Sequence, residues 1–131
     1  MAQITIKHER GLSSTICVRG HEVVVDVPQR LGGEDRGPTS TELFVASLGS
    51  CSAYYIAQWC QRAGVPHEGL EIDVSYRFHD KKDRLADITI VVKLPPGFPE
   101  ERRAAALRLA KACLLHKSLH DPPTIETVLA D

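Results

Sequence analysis

Apolar and polar residues alternate over the first part of the chain, which is typical of half-buried β-strands. The alternation predicts a strand over residues 2–8 and a second over 13–19, separated by Glu9-Arg10-Gly11. The run from His21 to Val27 is rich in β-branched residues and predicts a third strand. Glycines and mixed charges fill the segment from Pro28 to Pro38, so we predict a loop there.

A long helix is predicted after this loop. Thr39 and Glu42 have the spacing of a capping box, with Thr39 as the N-cap and Glu42 at the third helical position. Apolar residues then follow on every side of the helix, which is the pattern of a buried helix, so we expect it between a sheet and a second surface. Gly64 can cap its end, and Pro66 forbids its continuation.

The second half of the chain predicts a hairpin, a helix and a strand. Apolar residues alternate over 70–78 and again over 88–94, and the charged loop between them fits an exposed turn. A helix is predicted from Pro99, with Cys113 on its apolar side, and a short strand over 124–129. The predicted order is β-β-β-α-β-β-α-β, an α+β fold with two long helices and a largely antiparallel sheet.

Composition narrows the class of protein. The chain has 131 residues, 43% of them hydrophobic, and a net charge of −1. This length and the lack of a linker predict one domain over residues 1–131. The balanced charge gives no general reason to bind nucleic acid. The chain lacks a membrane-length apolar run and a secretory signal, so we expect a cytoplasmic protein with no membrane partner.

Four cysteines are the candidate chemistry: Cys17, Cys51, Cys60 and Cys113. Their spacing fits no zinc knuckle, and an intracellular cysteine is most often a small buried hydrophobe. Cys51 and Cys60 are nine residues apart and therefore point to opposite sides of the long helix. Cys51 shares its face with aromatic and polar residues. If the two helices pack, a contact between Cys51 and Cys113 is allowed, but spacing alone leaves both interpretations open.

Two segments around these cysteines resemble the OsmC/Ohr family, named after osmotically inducible protein C and organic hydroperoxide resistance protein. The segment from Gly37 to Ala53, GPTSTELFVASLGSCSA, resembles the first cysteine motif of that family. Residues 112–119, ACLLHKSL, are similar to its second motif. The predicted order of strands and helices is also similar, so the resemblance covers nearly the whole chain and implies an OsmC-like fold.

The resemblance implies a cysteine-based thiol peroxidase that reduces organic hydroperoxides or hydrogen peroxide. Cys51 would be the peroxidatic cysteine and Cys113 the resolving one, and a disulfide between them would be reduced by an external thiol or dithiol. A thiol and a sulfenic acid suffice for this chemistry, so no metal, flavin or other cofactor is expected. Members of the family are intertwined homodimers with active sites at the interface, so a homodimer is expected as well.

The resemblance also implies a cation beside the reactive thiol, and here the chain departs from the family. An arginine of the N-terminal strands would supply the charge, and Arg19 is the best-placed candidate, with Arg10 a weaker one. An ordinary exposed arginine explains Arg19 equally well. The family's peroxidases place a glutamate where this chain has Thr41, and Glu42 comes one residue later. This difference favours an alternative: a non-peroxidatic protein that binds a small molecule in the same interface pocket.

Several other residues keep two interpretations. Tyr55 and Glu42 are candidate residues of the substrate pocket, although Tyr55 also fits an interface and Glu42 fits the helix cap. His116 could line the site or bond the last carbonyls of its helix. We interpret Cys17 and Cys60 as packing residues.

Overall fold

The N-terminal part of the fold is a three-stranded antiparallel sheet in the order β1-β2-β3. It is seen in a computed structural model that describes residues 3–130; Ala2, with which the first predicted strand begins, lies outside these residues. The strands are β1 (Thr5–His8), β2 (Ser14–Val18) and β3 (His21–Val25). All three predicted strands are confirmed in shortened form. The chain folds as two compact units, the first ending at Phe44 and the second beginning at Val45.

The predicted loop after β3 is ordered by one buried carboxylate. Asp26 accepts hydrogen bonds from the backbone N–H groups of Val27 (2.7 Å), Glu34 (3.3 Å) and Arg36 (3.2 Å). These bonds, with the one from Val27 contributing most, hold the pKa of the Asp26 carboxyl below its usual value. The Arg36 guanidinium also donates to Ser13 Oγ at 2.8 Å. Polar contacts therefore fix the path of the chain towards the long helix.

Helix α1 spans Ser40–Ala63 and confirms the predicted capping box. The N–H of Glu42 donates to Thr39 Oγ1 at 3.0 Å, and the N–H of Thr39 donates to Glu42 Oε1 at 2.8 Å. The helix ends before Gly64, whose φ of 68° suits a glycine cap. No helix in the range 3–130 is both long and apolar enough to cross a bilayer.

Helix α1 is fully buried along one face in a single copy of the chain, whereas its sequence pattern predicts a second covering surface as well. Its buried residues follow a helical stripe: Val45, Leu48, Gly49, Ser52, Ile56 and Cys60. Phe44 and Tyr54, by contrast, are exposed. Several other apolar residues of this helix are half-buried, among them Tyr55 and Trp59.

Strands β4 (Glu71–Phe78) and β5 (Leu85–Lys93) form the predicted antiparallel hairpin. The core of the second unit joins the hairpin to the helices. Its buried residues are Ile56, Cys60, Val65, Phe98, Ala106 and Ala110, with Ile72 and Val92 of the hairpin packed against them. Gly49 faces the same hairpin: a Cβ atom built on it would lie 2.6 Å from Val74 Cγ2. The small residue therefore allows α1 to approach β4 closely.

The prediction of a single long helix from Pro99 is wrong, because the helix is interrupted at Cys113. After a short 3-10 turn come α2 (Arg103–Lys111) and α3 (Leu114–His120). Cys113 has extended backbone angles, φ −70° and ψ 155°, and its Sγ accepts a hydrogen bond from the N–H of His116 at 3.4 Å. Cys113 is therefore the N-cap of α3 and not a mid-helix residue.

The predicted strand over 124–129 is also wrong for the single chain. These residues pair with no strand within the described range, and Ile125, Val128 and Leu129 are 84%, 75% and 98% exposed. Alternating apolar residues favour a strand only where an edge is free to pair with it and a surface covers one face. In one copy of the chain this segment, which we call the C-terminal tail, has neither.

Candidate functional site

Cys51 and Cys113 come together within the second unit. Cys51 lies in the middle of α1 and is half-buried, and Cys113 is fully buried at the start of α3. The two thiols share a hydrogen bond, and both are free rather than joined in a disulfide. The contact that helix periodicity left open is therefore present in the fold.

The surroundings of Cys51 act on its ionisation in opposite directions. Burial is the largest influence, and it raises the pKa of the Cys51 thiol above its usual value. The hydrogen bond and the charge of Cys113 raise that pKa further. Hydrogen bonds from the backbone N–H groups of Leu115 and Leu114 lower it, because they stabilise the thiolate. Burial prevails, so the second unit alone does not activate this thiol.

Ser52, next to Cys51, is a site residue that sequence reasoning missed. Its side chain is fully buried, and its hydroxyl donates to the carbonyl of Ala110 at 2.8 Å. The bond joins the helix of Cys51 to the end of the helix that leads to Cys113. A serine on the apolar stripe of the helix, next to Cys51, was the available signal, because a buried hydroxyl needs a partner.

His116 bonds a helix-end carbonyl, one of its two sequence interpretations. Its Nδ1 lies 3.0 Å from the carbonyl oxygen of Lys111, at the end of α2. A carbonyl oxygen can only accept, so Nδ1 carries the proton in this contact. The backbone N–H of the same residue donates to Cys113 Sγ. His116 therefore helps to shape the break between the two helices.

Tyr55 lines an open cleft near the two cysteines. The cleft has a volume of about 300 Å³, and its other lining residues are Leu114, Lys117, Ser118 and Asp121. The N–H of Leu114 is one of the donors to Cys51, so the cleft adjoins the backbone that contacts the sulfur. A cleft with an aromatic ring, a leucine and polar groups suits a small amphipathic ligand.

Three candidate residues lie in the first unit, and the structure shows their exposure and their hydrogen-bond or ion-pair partners. Arg19 is exposed in the turn between β2 and β3 and adopts a positive φ of 48°. Arg10 is exposed and paired with Glu34 at 3.1 Å. Glu42 accepts the capping bond from Thr39, so its carboxylate already has a structural partner. The role of Arg19 as the activating cation stays a prediction.

The two remaining cysteines have different surroundings from this pair. Cys60 is fully buried in the core of the second unit, as its interpretation as a packing residue requires. Cys17 lies in β2, opposite Thr5 and Glu22 of the neighbouring strands, and is partly buried. Across residues 3–130, no three His, Cys, Asp or Glu side chains are grouped to hold a metal ion.

Solved structures share this fold over nearly the whole chain. A candidate osmotic stress induced and detoxification response protein from Psychrobacter arcticus has 18% identity and a TM-score of 0.82, over 90% of this chain and 88% of that one. An OsmC-like protein from Mycoplasma pneumoniae has 16% identity and a TM-score of 0.76, over 93% and 89%.

A third structure, the organic hydroperoxide resistance protein OsmC of Legionella pneumophila, has 17% identity and a TM-score of 0.58, over 91% and 90% of the two chains. No curated protein matches the chain significantly. At these identities the structures establish the α+β fold with antiparallel sheets, and the predicted fold class is confirmed.

The sequence itself establishes the family. The family model for OsmC-like proteins matches residues 32–128, which include α1, the hairpin and both cysteines of the site. This match, together with the shared fold, means that the chain belongs to the OsmC-like protein family.

Proposed function

We propose that this protein is a thiol-dependent peroxidase in which Cys51 attacks the peroxide and Cys113 resolves the product. The observation that carries the proposal is the hydrogen bond between the two thiols, formed by residues 62 positions apart in sequence (113 − 51). Two free cysteines in contact, one half-buried and one fully buried, beside an open cleft provide the parts that a two-cysteine peroxidase needs.

The reaction balances with thiol chemistry alone. The Cys51 thiolate attacks one oxygen of the hydroperoxide, the O–O bond breaks, and the sulfur becomes a sulfenic acid; the alkoxide takes up one proton from water and leaves as an alcohol. The Cys113 thiol then displaces water from that sulfenic acid and forms the disulfide. Two external thiols, or one dithiol, reduce the disulfide and are themselves oxidised to a disulfide. No metal or flavin enters these steps.

The cleft beside Tyr55 supports an organic hydroperoxide as the substrate. Its volume of about 300 Å³ accommodates a small alkyl or aryl group, and it opens next to the backbone that contacts Cys51. Hydrogen peroxide would use the same thiols without filling the cleft. The reductant must be a thiol pool, so the proposal places the enzyme in the reducing cytoplasm.

A homodimer is part of the proposal. Phe44 and Tyr54 are exposed on α1, and the C-terminal tail exposes Ile125, Val128 and Leu129. We infer that these exposed apolar side chains belong to an association surface. A second copy of the chain would cover them and would complete the surroundings of Cys51.

A binding protein without peroxidase activity is the alternative, and two observations favour it. Burial raises the pKa of Cys51, which lowers the fraction of thiolate at neutral pH. Thr41 stands where the family's peroxidases carry a glutamate, and the carboxylate of Glu42 is engaged by the helix cap. A neutral thiol beside the cleft would then contribute to binding only.

Peroxide treatment of the reduced protein separates the two functions. One equivalent of cumene hydroperoxide is added, and disulfides are mapped by mass spectrometry of non-reduced peptides. The peroxidase proposal expects a Cys51–Cys113 linkage and peroxide consumption that Cys51→Ser abolishes. Cys60→Ser, which changes a buried cysteine of the core, is the matched control and should still consume peroxide.

Each result bears on one function. If the linkage is absent and Cys51→Ser consumes peroxide as fast as the wild type, the peroxidase proposal is wrong. Saturable binding of cumyl alcohol, which has the shape of the substrate but no O–O bond, without any peroxide consumption would then support the binding protein.

A further inference from the structure

We propose that Ser52 is a positioning residue for the two cysteines. Its hydroxyl replaces the helical N–H that would donate to the Ala110 carbonyl, and it thereby keeps the helix interrupted at Cys113. The break directs backbone N–H groups to the sulfur atoms instead of to helix carbonyls. The use of this arrangement in catalysis rests on the proposed peroxidase function, but the arrangement itself can be tested without peroxide.

The hydrogen bonds at the end of α2 show what the break removes. In an uninterrupted helix the N–H of residue i donates to the carbonyl of residue i−4. Leu114 would therefore donate to Ala110, and Leu115 to Lys111. The extended angles of Cys113 end this pattern, and the last turn closes with the N–H of Ala112 on the carbonyl of Leu109 at 3.1 Å. Two carbonyls lose their helical donors.

Two side chains supply the missing donors. Ser52 Oγ donates to the Ala110 carbonyl at 2.8 Å, and His116 Nδ1 donates to the Lys111 carbonyl at 3.0 Å. Backbone carbonyls at a helix end need such partners when they are buried. The break is therefore stabilised by side chains and is not a frayed helix end.

Ser52 is the decisive donor of the two because of burial. Ser52 is 0% exposed and Ala110 is 4% exposed, so water cannot replace the hydroxyl. Lys111 is exposed, so water can replace His116 there. An unsatisfied buried carbonyl is costly, and in a continuous helix the donor to Ala110 would be the N–H of Leu114.

The released N–H groups point at the cysteines. Leu114 and Leu115 donate to the Cys51 sulfur, and His116 donates to Cys113 Sγ at 3.4 Å. If Leu114 returned to the carbonyl of Ala110, the Cys51 thiolate would lose one donor and Cys113 would rotate into a helix. Both the ionisation of Cys51 and its distance to Cys113 therefore depend on the hydroxyl of Ser52.

Removing the hydroxyl should lower the reactivity of Cys51. One hydrogen bond to a charged sulfur corresponds to a shift of about one pKa unit, or roughly a tenfold change in thiolate population. We expect Ser52→Ala to slow alkylation of Cys51 by iodoacetamide about tenfold at pH 7. We also expect slower Cys51–Cys113 disulfide formation with diamide, an azo oxidant that takes up the two hydrogen atoms of the thiols.

The experiment compares two variants of Ser52 that have the same shape. Ser52→Thr keeps the hydroxyl, and Ser52→Val has the same shape without it, so the pair isolates the hydrogen bond. Alkylation of Cys51 is followed from pH 6 to 11 by mass spectrometry of each cysteine peptide. Cys113 is the titratable neighbour of this thiol, so its peptide is quantified in the same runs. Ile56→Val removes a methylene from the same buried face of α1 and controls for lost packing.

The proposal expects slow alkylation in Ser52→Ala and Ser52→Val, and rates near the wild type in Ser52→Thr and Ile56→Val. It is overturned if Ser52→Thr and Ser52→Val behave alike, or if Ser52→Ala keeps the wild-type pH profile and rate of disulfide formation. If Ser52→Ala fails to fold, the isosteric pair decides. If the wild-type protein does not react with peroxide, the peroxidase function is wrong, but these comparisons of alkylation and disulfide formation still test the role of Ser52.

Discussion

The reactivity of Cys51 depends on a balance between burial and hydrogen bonding. Burial raises the pKa of the thiol, and the N–H groups of Leu115 and Leu114 lower it by less. A cation within about 4–6 Å typically shifts such a pKa by one to three units, which is enough to reverse the balance. We therefore propose that a cation lies beside Cys51, and Arg19 is our candidate for it.

The role of Arg19 can be tested, because a substitution there changes stability through its backbone conformation and activity through its charge. Val18 pairs with His21, so Arg19 and Gly20 form a two-residue hairpin turn, with φ values of 48° and 81°. A side chain in this left-handed region costs about 1 kcal/mol or more, and asparagine tolerates it better. We expect Arg19→Asn to raise the free energy of unfolding by about 0.5 kcal/mol and to slow peroxide consumption at least tenfold.

Urea unfolding and a peroxide-consumption assay measure the two effects. Arg19→Lys keeps the charge and should retain more activity than Arg19→Asn. Arg10→Asn is the matched control, because Arg10 is an exposed arginine already paired with Glu34. Full activity in Arg19→Asn would make Arg19 an ordinary turn residue and would remove it from the site.

At the level of elements, the features that depend on neighbouring residues could be predicted, and those that depend on distant residues could not. The capping box of Thr39 and Glu42 and the end of α1 at Gly64 each depend on residues within a few positions, and both are confirmed. The break at Cys113 depends on a hydrogen bond between Ser52 and Ala110, 58 residues apart. A pattern read along α2 and α3 contains no trace of that partner, so it predicts one helix.

The candidate site divides in the same way. Cys51 and Cys113 were identified through motifs, and their contact follows from how the helices pack in the second unit. The backbone donors Leu114 and Leu115 could not be predicted, because every residue except proline has an N–H and only the break directs these two at a sulfur. The capping role of Glu42 could be predicted, since it needs only the spacing to Thr39.

The packing of α1 on the hairpin gives a prediction at the scale of elements. A Cβ atom at Gly49 would lie 2.6 Å from Val74 Cγ2 and 3.4 Å from Ile72 Cγ2, and β-branched valine cannot easily move away. Overpacking costs about 1–3 kcal/mol, whereas alanine gains about 1 kcal/mol over glycine in a helix. We expect Gly49→Ala to lower the free energy of unfolding by about 1 kcal/mol in a urea titration.

A second substitution tests the cause. Val74→Ala removes the methyl groups that the new Cβ would meet, so the double variant should be more stable than the two separate losses predict. Ser50→Ala and Ser50→Gly, at an exposed position of the same helix, measure the helix-propensity part alone. If Gly49→Ala is as stable as the wild type, the close approach of α1 to β4 does not limit stability.

For the whole molecule, two differences between the sequence pattern and the single chain share one cause. The outer face of α1 and the C-terminal tail have apolar patterns that predicted burial, yet one copy of the chain leaves them exposed. Pattern reasoning registers that a residue is apolar, but it cannot tell which chain covers it. Both discrepancies would be explained together if a second copy supplied the missing surface, as the proposed homodimer requires.

The C-terminal tail supplies the test of that dimer. Burying a side chain such as Leu129, now 98% exposed, contributes about 1.5–3 kcal/mol, so several tail residues together would matter for association. We expect the wild type to be a dimer at micromolar concentration by light scattering. Leu129→Asp should raise the dissociation constant of the dimer about tenfold or more. Ala130→Asp introduces the same charge at the neighbouring position but removes only one methyl group of apolar surface, so it should weaken the dimer much less. A monomeric wild type, or equal effects of the two charges, would contradict a dimer held by this tail.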